Sequence, residues 1–324
     1  MAARQTTTTD NNKTNMGSIN EIVSKDIMAQ NAAKSEGMSK VEQAFAKYKL
    51  EVDEQAVRKA VEGIIADKMP ANDTRDVRKF LLGSVELTSL HTTDNDESIL
   101  AMVEKVNKQE AALPDLPHVA AICVYPAFVN LVRNSLEVDG VEITSVSGSF
   151  PSSQSRMEVK VAETQLAVAD GATNIDIVLP VGKFLSGDYE GVADDISEMK
   201  EACGDVPMKV ILETCCLGSL SNVKRAAILS MYAGADYVKT STGKEKAGAT
   251  PEGVYVMCQA IKEYYEQTGI MIGLKPAGGI NCPKDAIILY TIAKEVLGEK
   301  WMTNEMFRLG TSRLAKQLMD DLNA

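Results

Sequence analysis

From about residue 80 onward, short apolar segments alternate with longer amphipathic ones, and this alternation limits the fold more than any other feature of the sequence. Eight apolar segments are predicted strands, at 82–90, 119–125, 141–146, 175–180, 208–214, 237–242, 271–275 and 307–310. Segments with apolar residues at helical spacing lie between them, at 157–169, 189–202, 220–233, 251–265 and 286–297. Eight such units are typical of a (β/α)8 TIM barrel. An open doubly wound sheet is the alternative, but no GxGxxG motif follows the first strand.

Residues 1–75 differ in character and are predicted to be an N-terminal extension, with the barrel assigned to residues 76–324. The first 17 or so residues are polar and of low complexity, which predicts disorder. Helical spacing recurs at 19–34, 39–49 and 52–67, and residues 69–72 are predicted to break the last helix because they contain Pro70. Nothing in this part indicates a functional site.

Composition excludes several classes of function. The net charge of −11 argues against a general affinity for nucleic acid or anionic membranes. No apolar run reaches the ~20 residues that a membrane span needs. Two histidines leave little material for a histidine-based zinc site or a Ser-His-Asp triad. The six cysteines are scattered without a CxxC motif, which favours reduced thiols in a cytoplasmic protein.

Charged residues interrupt several of the predicted strands near their ends. These are Asp176 in NIDIVLP, Lys209 and Glu213 in MKVILET, Lys239 in YVKTSTGK and Lys275 in IGLKPAGG. Reactive side chains of TIM barrels lie at the C-terminal ends of strands, and a buried charge must be paired, neutralised or functional. Lys239 and Lys275 lie towards the tops of consecutive strands, so each is expected to lower the pKa of the other and to favour the free amine that attacks a carbonyl.

Each of these residues also has a purely structural alternative. A lysine at a strand end is often a surface residue whose alkyl stem lies on apolar neighbours. That alternative is weaker for Lys239 and Lys275, since the segments that follow them, TSTGK and PAGG, do not resemble charged surface turns. Asp176 could simply be the ion-pair partner of Lys209 in the core. Taken together, Asp176 and the two strand-end lysines favour Schiff-base chemistry.

Glycine-containing loops follow the sixth, seventh and eighth predicted strands, at 240–244, 278–279 and 310–312. The loops after the last two strands of a TIM barrel frequently bind phosphate together with a helix N-terminus. Lys244 would add a positive charge. Glycine is common in any turn, so the succession of three loops indicates a phosphate site more strongly than any single loop does.

These motifs resemble the deoxyribose-phosphate aldolase family. The matching segments are AAICVYP, NIDIVLPVG, MKVILET, YVKTSTGK followed by ATPE, and GLKPAGG, in the family's order, and the resemblance covers roughly residues 80–316. It implies a class I aldolase of deoxyribonucleoside catabolism that reversibly cleaves 2-deoxy-D-ribose 5-phosphate to D-glyceraldehyde 3-phosphate and acetaldehyde. It also implies a cytoplasmic homo-oligomer, a dimer by preference, without metal or other cofactor, because a lysine iminium does the polarising that zinc does in other aldolases.

The resemblance assigns roles to individual residues. Lys239 falls on the Schiff-base lysine, and Lys275 on a second lysine that perturbs it and assists proton transfer. Asp176 falls on a carboxylate that shuttles protons with a water, and Lys209 on a lysine that holds Asp176. Cys123 matches a cysteine near the substrate pocket, with a small core residue as the alternative. The phosphate-binding loops match Thr242, Gly243, Lys244, Gly278, Gly279, Gly310, Thr311 and Ser312.

Three positions and the C-terminal tail depart from the family pattern. Asn281 stands where some members have arginine, Arg313 where others have a small residue, and Glu86 where many have aspartate. The sequence also ends without the tyrosine-ended tail of some bacterial members. Two alternatives therefore stay open, namely a Schiff-base aldolase for a different aldehyde and a non-catalytic phosphosugar-binding barrel.

Overall fold

The structure is a computed structural model that describes residues 37–323, except for the side chains of residues 110 and 111. The predicted disordered start and the predicted helix at 19–34 lie outside the described residues. In chain order the helices and strands are α1 (Lys40–Phe45), α2 (Glu54–Asn72), α3 (Arg75–Gly83), β1 (Val85–Thr88), α4 (Asp96–Ala112), β2 (Ala121–Val124), α5 (Val129–Ser135), β3 (Glu142–Val146), α6 (Met157–Asp170), β4 (Asn174–Val178), α7 (Val181–Leu185), α8 (Tyr189–Cys203), β5 (Met208–Ile211), α9 (Leu220–Tyr232), β6 (Tyr237–Lys239), α10 (Pro251–Thr268), β7 (Gly273–Lys275), α11 (Pro283–Leu297), β8 (Leu309–Thr311) and α12 (Leu314–Asn323). Short 3-10 turns occupy Pro126–Phe128, Thr214–Cys216 and Glu299–Trp301.

The eight strands are parallel and form one sheet in the order β7-β6-β5-β4-β3-β2-β1-β8. Two isolated bridges, Leu274–Phe307 and Ala277–Gly310, join the two ends of this sheet. The prediction of a (β/α)8 barrel over an open doubly wound sheet is confirmed. The C-terminal ends of all eight strands, and the loops that follow them, therefore meet at one face of the barrel.

Apolar strand residues and the helices around them form the core. Strands buried on both faces read as continuous apolar runs, and β2, β4 and β5 are buried along their whole length. Each predicted strand is longer than the observed one, and in five of the eight the predicted segment continues into the loop after the strand. The sixth is an example: β6 ends at Lys239, while Thr240, Ser241 and Thr242 are buried but already belong to the loop.

Two predictions near the start of the barrel are wrong. The first predicted strand begins at residue 82, whereas Leu82 and Gly83 close helix α3, which the sequence analysis did not predict. The break predicted at 69–72 is also absent, since α2 runs through Pro70 to Asn72. Proline has no N–H, so it removes one hydrogen bond from the last turns of the helix and leaves the carbonyl one turn earlier without its backbone partner. Because Pro70 is exposed, water can hydrate that carbonyl.

The described part of the N-terminal region packs against the outside of the barrel. Val57 and Val61 of α2 are buried, and α2 contacts α10 and α11. The carboxylate of Glu54 accepts a bond from the backbone N–H of Leu220 at the start of α9, 3.2 Å away. The assignment of residues 1–75 to a separate extension stays a prediction.

Helix ends follow the expected glycine chemistry. Gly171 ends α6 with φ +111°, and Gly234 follows α9 with φ +105°, both in the left-handed region that glycine enters without steric cost. Among residues 37–323, no helix combines the length and the apolar character that crossing a membrane would require.

Candidate active site

The side chains of Lys239, Lys275 and Asp176 meet inside the C-terminal end of the barrel. Lys239 is the last residue of β6, and its Nζ donates to Oδ2 of Asp176 on β4 at 2.8 Å. Lys275, paired with Lys239 in the β6–β7 register, donates to the same oxygen at 2.6 Å. One carboxylate oxygen therefore bridges two amines, and a proton can pass between them without a large movement.

A second carboxylate extends this cluster towards the barrel interior. Glu86 on β1 accepts bonds from Lys275 and from the hydroxyl of Thr144, the latter at 3.0 Å. Lys209 on β5 lies 3.4 Å from both Glu86 and Asp176 and donates to the side-chain oxygen of Asn174 at 2.8 Å. Lys209 therefore lies between the two carboxylates, where it can hold both in place.

Arg308 completes the buried charges at the far side of this cluster. It lies 3.9 Å from Glu86 and donates to Glu142 at 3.0 Å. Alternating positive and negative groups thus continue from the cavity into the barrel. Such an arrangement offsets the free-energy cost of removing each charge from water.

The pKa values of these groups follow from burial and from their neighbours. Burial alone raises the pKa of both carboxyls, but the nearby lysines outweigh it: the pKa of Asp176 falls well below its usual range, and that of Glu86 falls to about 2. Burial alone lowers the pKa of Lys275, but the carboxylates of Asp176 and Glu86 outweigh burial and raise it. The expectation that paired lysines lower each other's pKa is therefore wrong for Lys275, because two carboxylates contact its amine.

A cavity of about 340 Å³ opens above Lys239. All eight residues predicted for the phosphate loops line it, together with Thr88, Leu90, His91, Lys239, Ala277, Ile280, Asn281 and Arg313. The structure therefore places the glycine loops and the Lys239 amine on one cavity. Cys123 is not among the lining residues; it is buried and packs with Leu90 and Val146 in a small apolar cluster, and burial raises the pKa of its thiol.

Close backbone packing shapes the wall of this cavity. Gly278 and Gly279 have φ of +76° and +73°, which other residues adopt only at a cost. A Cβ on Gly248 would lie 2.2 Å from the carbonyl carbon of Gly278, so the loop after β6 can pack on the loop after β7 only with glycine there. The Lys244 amine donates to the carbonyl of Leu90 and so ties the loop after β6 to the loop after β1.

Several cavity residues lie outside the set predicted from sequence. Thr88, Leu90 and His91 follow or end β1, and the strand-end rule that selected Lys239 could have selected them too. Two of the departures from the family pattern, Asn281 and Arg313, line the cavity beside the glycine-containing loops. Arg313 is exposed after β8, so it brings a positive charge to that end.

Glu213, the charged residue near the end of the segment MKVILET, is buried directly behind the loop after β6. Its carboxylate accepts bonds from the N–H and the hydroxyl of Thr242. Burial raises the pKa of this carboxyl, although the Thr242 bonds oppose the change.

Glu86, Cys123 and Asp176 place three metal-ligand atoms within 4.8 Å of one another. Both carboxylates are, however, already paired with lysine amines. The positive charges of Lys209 and Lys275 would oppose a divalent cation at this point. The cluster is therefore better suited to moving protons than to holding a metal.

Comparisons with known proteins agree on one family. The sequence profile described as "DeoC/LacD family aldolase" matches residues 84–297. The chain is 38% identical over 272 residues to a Caenorhabditis elegans protein named "Putative deoxyribose-phosphate aldolase", covering 83% of this chain and 89% of that protein. It is 42% identical over 201 residues to the human protein named deoxyribose-phosphate aldolase, covering 61% of this chain and 63% of that protein.

Solved structures give the same fold. A Toxoplasma gondii crystal structure, whose protein carries the same name as the C. elegans one, superposes with a TM-score of 0.69 at 24% identity. The match covers 79% of this chain and 97% of that chain. At this level of identity the likeness supports the barrel itself.

Proposed function

This chain belongs to the DeoC/LacD family of aldolases, and from that premise we propose that it is a class I enzyme whose nucleophile is Lys239. An aldolase of this kind is a lyase, and the relatives at 38% and 42% identity point to deoxyribose-phosphate aldolase as its activity. The reaction is the reversible cleavage of 2-deoxy-D-ribose 5-phosphate to D-glyceraldehyde 3-phosphate and acetaldehyde.

One observation carries the assignment of the site. The Lys239 amine borders the same cavity as the three glycine loops, and it shares Asp176 with Lys275. A sugar whose phosphate lies on the loops would present its carbonyl end to Lys239. The backbone N–H groups of these loops and the charge of Arg313 suit an anion.

Attack on a carbonyl requires the neutral form of the Lys239 amine, because only that form has a free lone pair. The Asp176 carboxylate lies 2.8 Å from this amine, so it is placed to accept the proton that the amine releases.

In the proposed mechanism, Lys239 Nζ adds to C1 of the open-chain aldehyde, and loss of water from the carbinolamine gives an iminium. The iminium accepts the electron pair of the C2–C3 bond as it breaks, and the C3 hydroxyl gives up its proton to become the aldehyde of glyceraldehyde 3-phosphate. The remaining enamine takes a proton at C2, and water releases acetaldehyde. Asp176 and Lys275 move the protons, and such help is typically worth ~10²–10⁴-fold. The iminium is the electron sink, so these steps use no metal or other cofactor.

Borohydride trapping with acetaldehyde, followed by mass spectrometry of the digested protein, tests this proposal. We expect a reduced two-carbon adduct on Lys239 and none on Lys160, a buried lysine outside the cavity that bonds to Ser153. Lys239→Ala should remove both the adduct and turnover. Folded wild-type protein that forms no adduct, or an active Lys239→Ala variant, would refute the assignment.

A second candidate is the same chemistry on a different aldehyde, favoured by the exchanged residues Asn281 and Arg313 at the phosphate end of the cavity. Comparing turnover of 2-deoxyribose with that of its 5-phosphate separates the two. A non-catalytic phosphosugar-binding barrel would bind the phosphate but form no adduct in the trapping experiment.

We further propose that the protein acts in deoxyribonucleoside catabolism, in the cytoplasm and as a homodimer. All six cysteines are free, which suits a reducing compartment. The mass of the full chain in solution tests the dimer.

A further inference from the structure

Glu213 adopts a backbone conformation that is uncommon for its residue type. It follows β5 with φ +51° and ψ +59°, in the left-handed region that residues with a Cβ enter at a cost. Such strained residues concentrate at functional sites, where the surrounding structure holds them. Glu213 is also only 4% exposed, although its side chain is ionisable.

The strain accompanies an irregularity in the β5–β6 ladder. Leu212 donates its N–H to the carbonyl of Lys239 at 2.9 Å, and Thr214 donates to the carbonyl of Thr240 at 3.0 Å. The two donors are two residues apart along the chain, whereas the two acceptors are adjacent residues. The first chain segment therefore has one extra residue, as in a β-bulge. The extra residue is Glu213, and the bulge turns its side chain towards the loop after β6.

The Glu213 carboxylate holds this loop from behind the cavity wall. Its two oxygens lie 3.2 and 3.3 Å from the Thr242 N–H, and one of them also accepts the Thr242 hydroxyl proton. The Thr242 hydroxyl oxygen in turn accepts the backbone N–H of Lys244 at 3.0 Å. Thr242 and Lys244 line the cavity, whereas Glu213 lies behind them.

From these contacts we propose that Glu213 is a positioning residue that fixes the segment Thr242–Lys244 in the shape that receives a 5-phosphate, and so sets the preference for a phosphorylated over a free sugar. This inference rests on the proposed function. Without the carboxylate, the Thr242 N–H and hydroxyl lose their buried acceptor, and the segment has no other side chain to hold it from behind among its described contacts.

The test measures two quantities in the wild type and in Glu213→Ala, Glu213→Gly and Glu213→Gln. The first is the ratio of kcat/KM for 2-deoxyribose 5-phosphate to kcat/KM for 2-deoxyribose, and the second is the affinity for inorganic phosphate by calorimetry. Glycine adopts the left-handed conformation freely. A loss shared by Glu213→Ala and Glu213→Gly is therefore caused by removal of the carboxylate and not by a relaxed backbone.

We expect Glu213→Ala and Glu213→Gly to lower the ratio and the phosphate affinity by about tenfold each, the usual effect of leaving a buried donor without its acceptor. Glu213→Gln should retain part of the ratio and of the phosphate affinity, since the amide oxygen can still accept from Thr242. Glu163→Ala is the matched control. That carboxylate accepts the N–H of Ser149 at 2.7 Å in the loop after β3, away from the phosphate loops, so its removal should leave the ratio unchanged.

Three results would overturn the inference: an unchanged ratio with unchanged phosphate affinity, an equal loss on both sugars, or the same fall in the ratio for Glu163→Ala. A wild type that turns over neither sugar would instead refute the proposed function. The phosphate affinities would then decide the role of Glu213 by themselves.

Discussion

Replacing Glu86 by Gln removes one negative charge from the buried cluster with almost no change in shape. Glu86 is fully buried, accepts bonds from Lys275 and Thr144, and lies 3.4 Å from Lys209. The substitution leaves these lysines with Asp176 as their remaining buried carboxylate partner. Removing one partner of a buried ion pair is strongly destabilising, because the other charge stays buried and uncompensated.

The pKa of Glu86 gives the size of the expected effect. Its fall from the ordinary value of 4.5 to about 2 corresponds to roughly 3 kcal/mol, at about 1.4 kcal/mol for each pH unit. This agrees with the roughly 3–5 kcal/mol that breaking buried pairs costs in other proteins. We therefore expect the free energy of unfolding at pH 7 to be about 3 kcal/mol lower in Glu86→Gln than in the wild type.

The lowered pKa of Glu86 also determines how the free energy of unfolding depends on pH. Because the folded-state pKa is the lower one, the stabilisation is present above about pH 4.5 and is lost as the pH falls towards about 2. The difference between wild type and Glu86→Gln should accordingly be largest at neutral pH and shrink on acidification. Urea unfolding followed by circular dichroism at several pH values measures this difference.

Glu104→Gln is the control for this experiment. Glu104 pairs with Lys108 on the exposed face of α4, where an ion pair contributes little, so its substitution should hardly change the unfolding midpoint. A Glu86→Gln variant as stable as the wild type at pH 7, or a stability difference that does not change with pH, would show that the cluster does not hold Glu86 ionised.

The remaining predictions concern the cavity. Arg313→Ala should raise KM for 2-deoxyribose 5-phosphate more than KM for the free sugar, with partial recovery in Arg313→Lys; steady-state kinetics on both sugars checks this, and equal effects would contradict a phosphate contact. Gly310→Ala should cost about 1–3 kcal/mol of stability, because the new Cβ would lie 2.8 Å from the Cβ of Ala277. Gly182→Ala meets no atom within 4 Å and should be neutral or stabilising, and thermal unfolding of both variants provides the comparison. Lys239→Arg keeps a long basic side chain but has no free amine, so it should form no trapped adduct, and a trapped adduct would contradict Lys239 as the nucleophile.

Sequence reasoning could find the barrel and the lysines because both leave a local pattern. The eight-fold alternation gives the fold, and Lys239, Lys275 and Asp176 stand out as charges inside short apolar runs. The cavity also gathers the predicted glycine loops, since loops at one end of a barrel must meet there. The exposed Pro70 misled the reasoning, because a proline near the solvent side of a helix end costs one bond and does not have to end the helix.

Contacts between distant strands leave no such pattern, and they set the electrostatics of the site. The sequence places Lys275 beside Lys239, and a neighbouring positive charge by itself lowers the pKa of an amine. The partner that reverses this for Lys275 is Glu86, 189 residues away, acting with Asp176 on β4. Glu213 is a similar case, since its link to Thr242 depends on a left-handed backbone that a glutamate shows only in the folded chain. The proposed reactive residues stand out in the local sequence, whereas the charged surroundings of Lys275 form only when the barrel closes, and Glu86→Gln tests those surroundings.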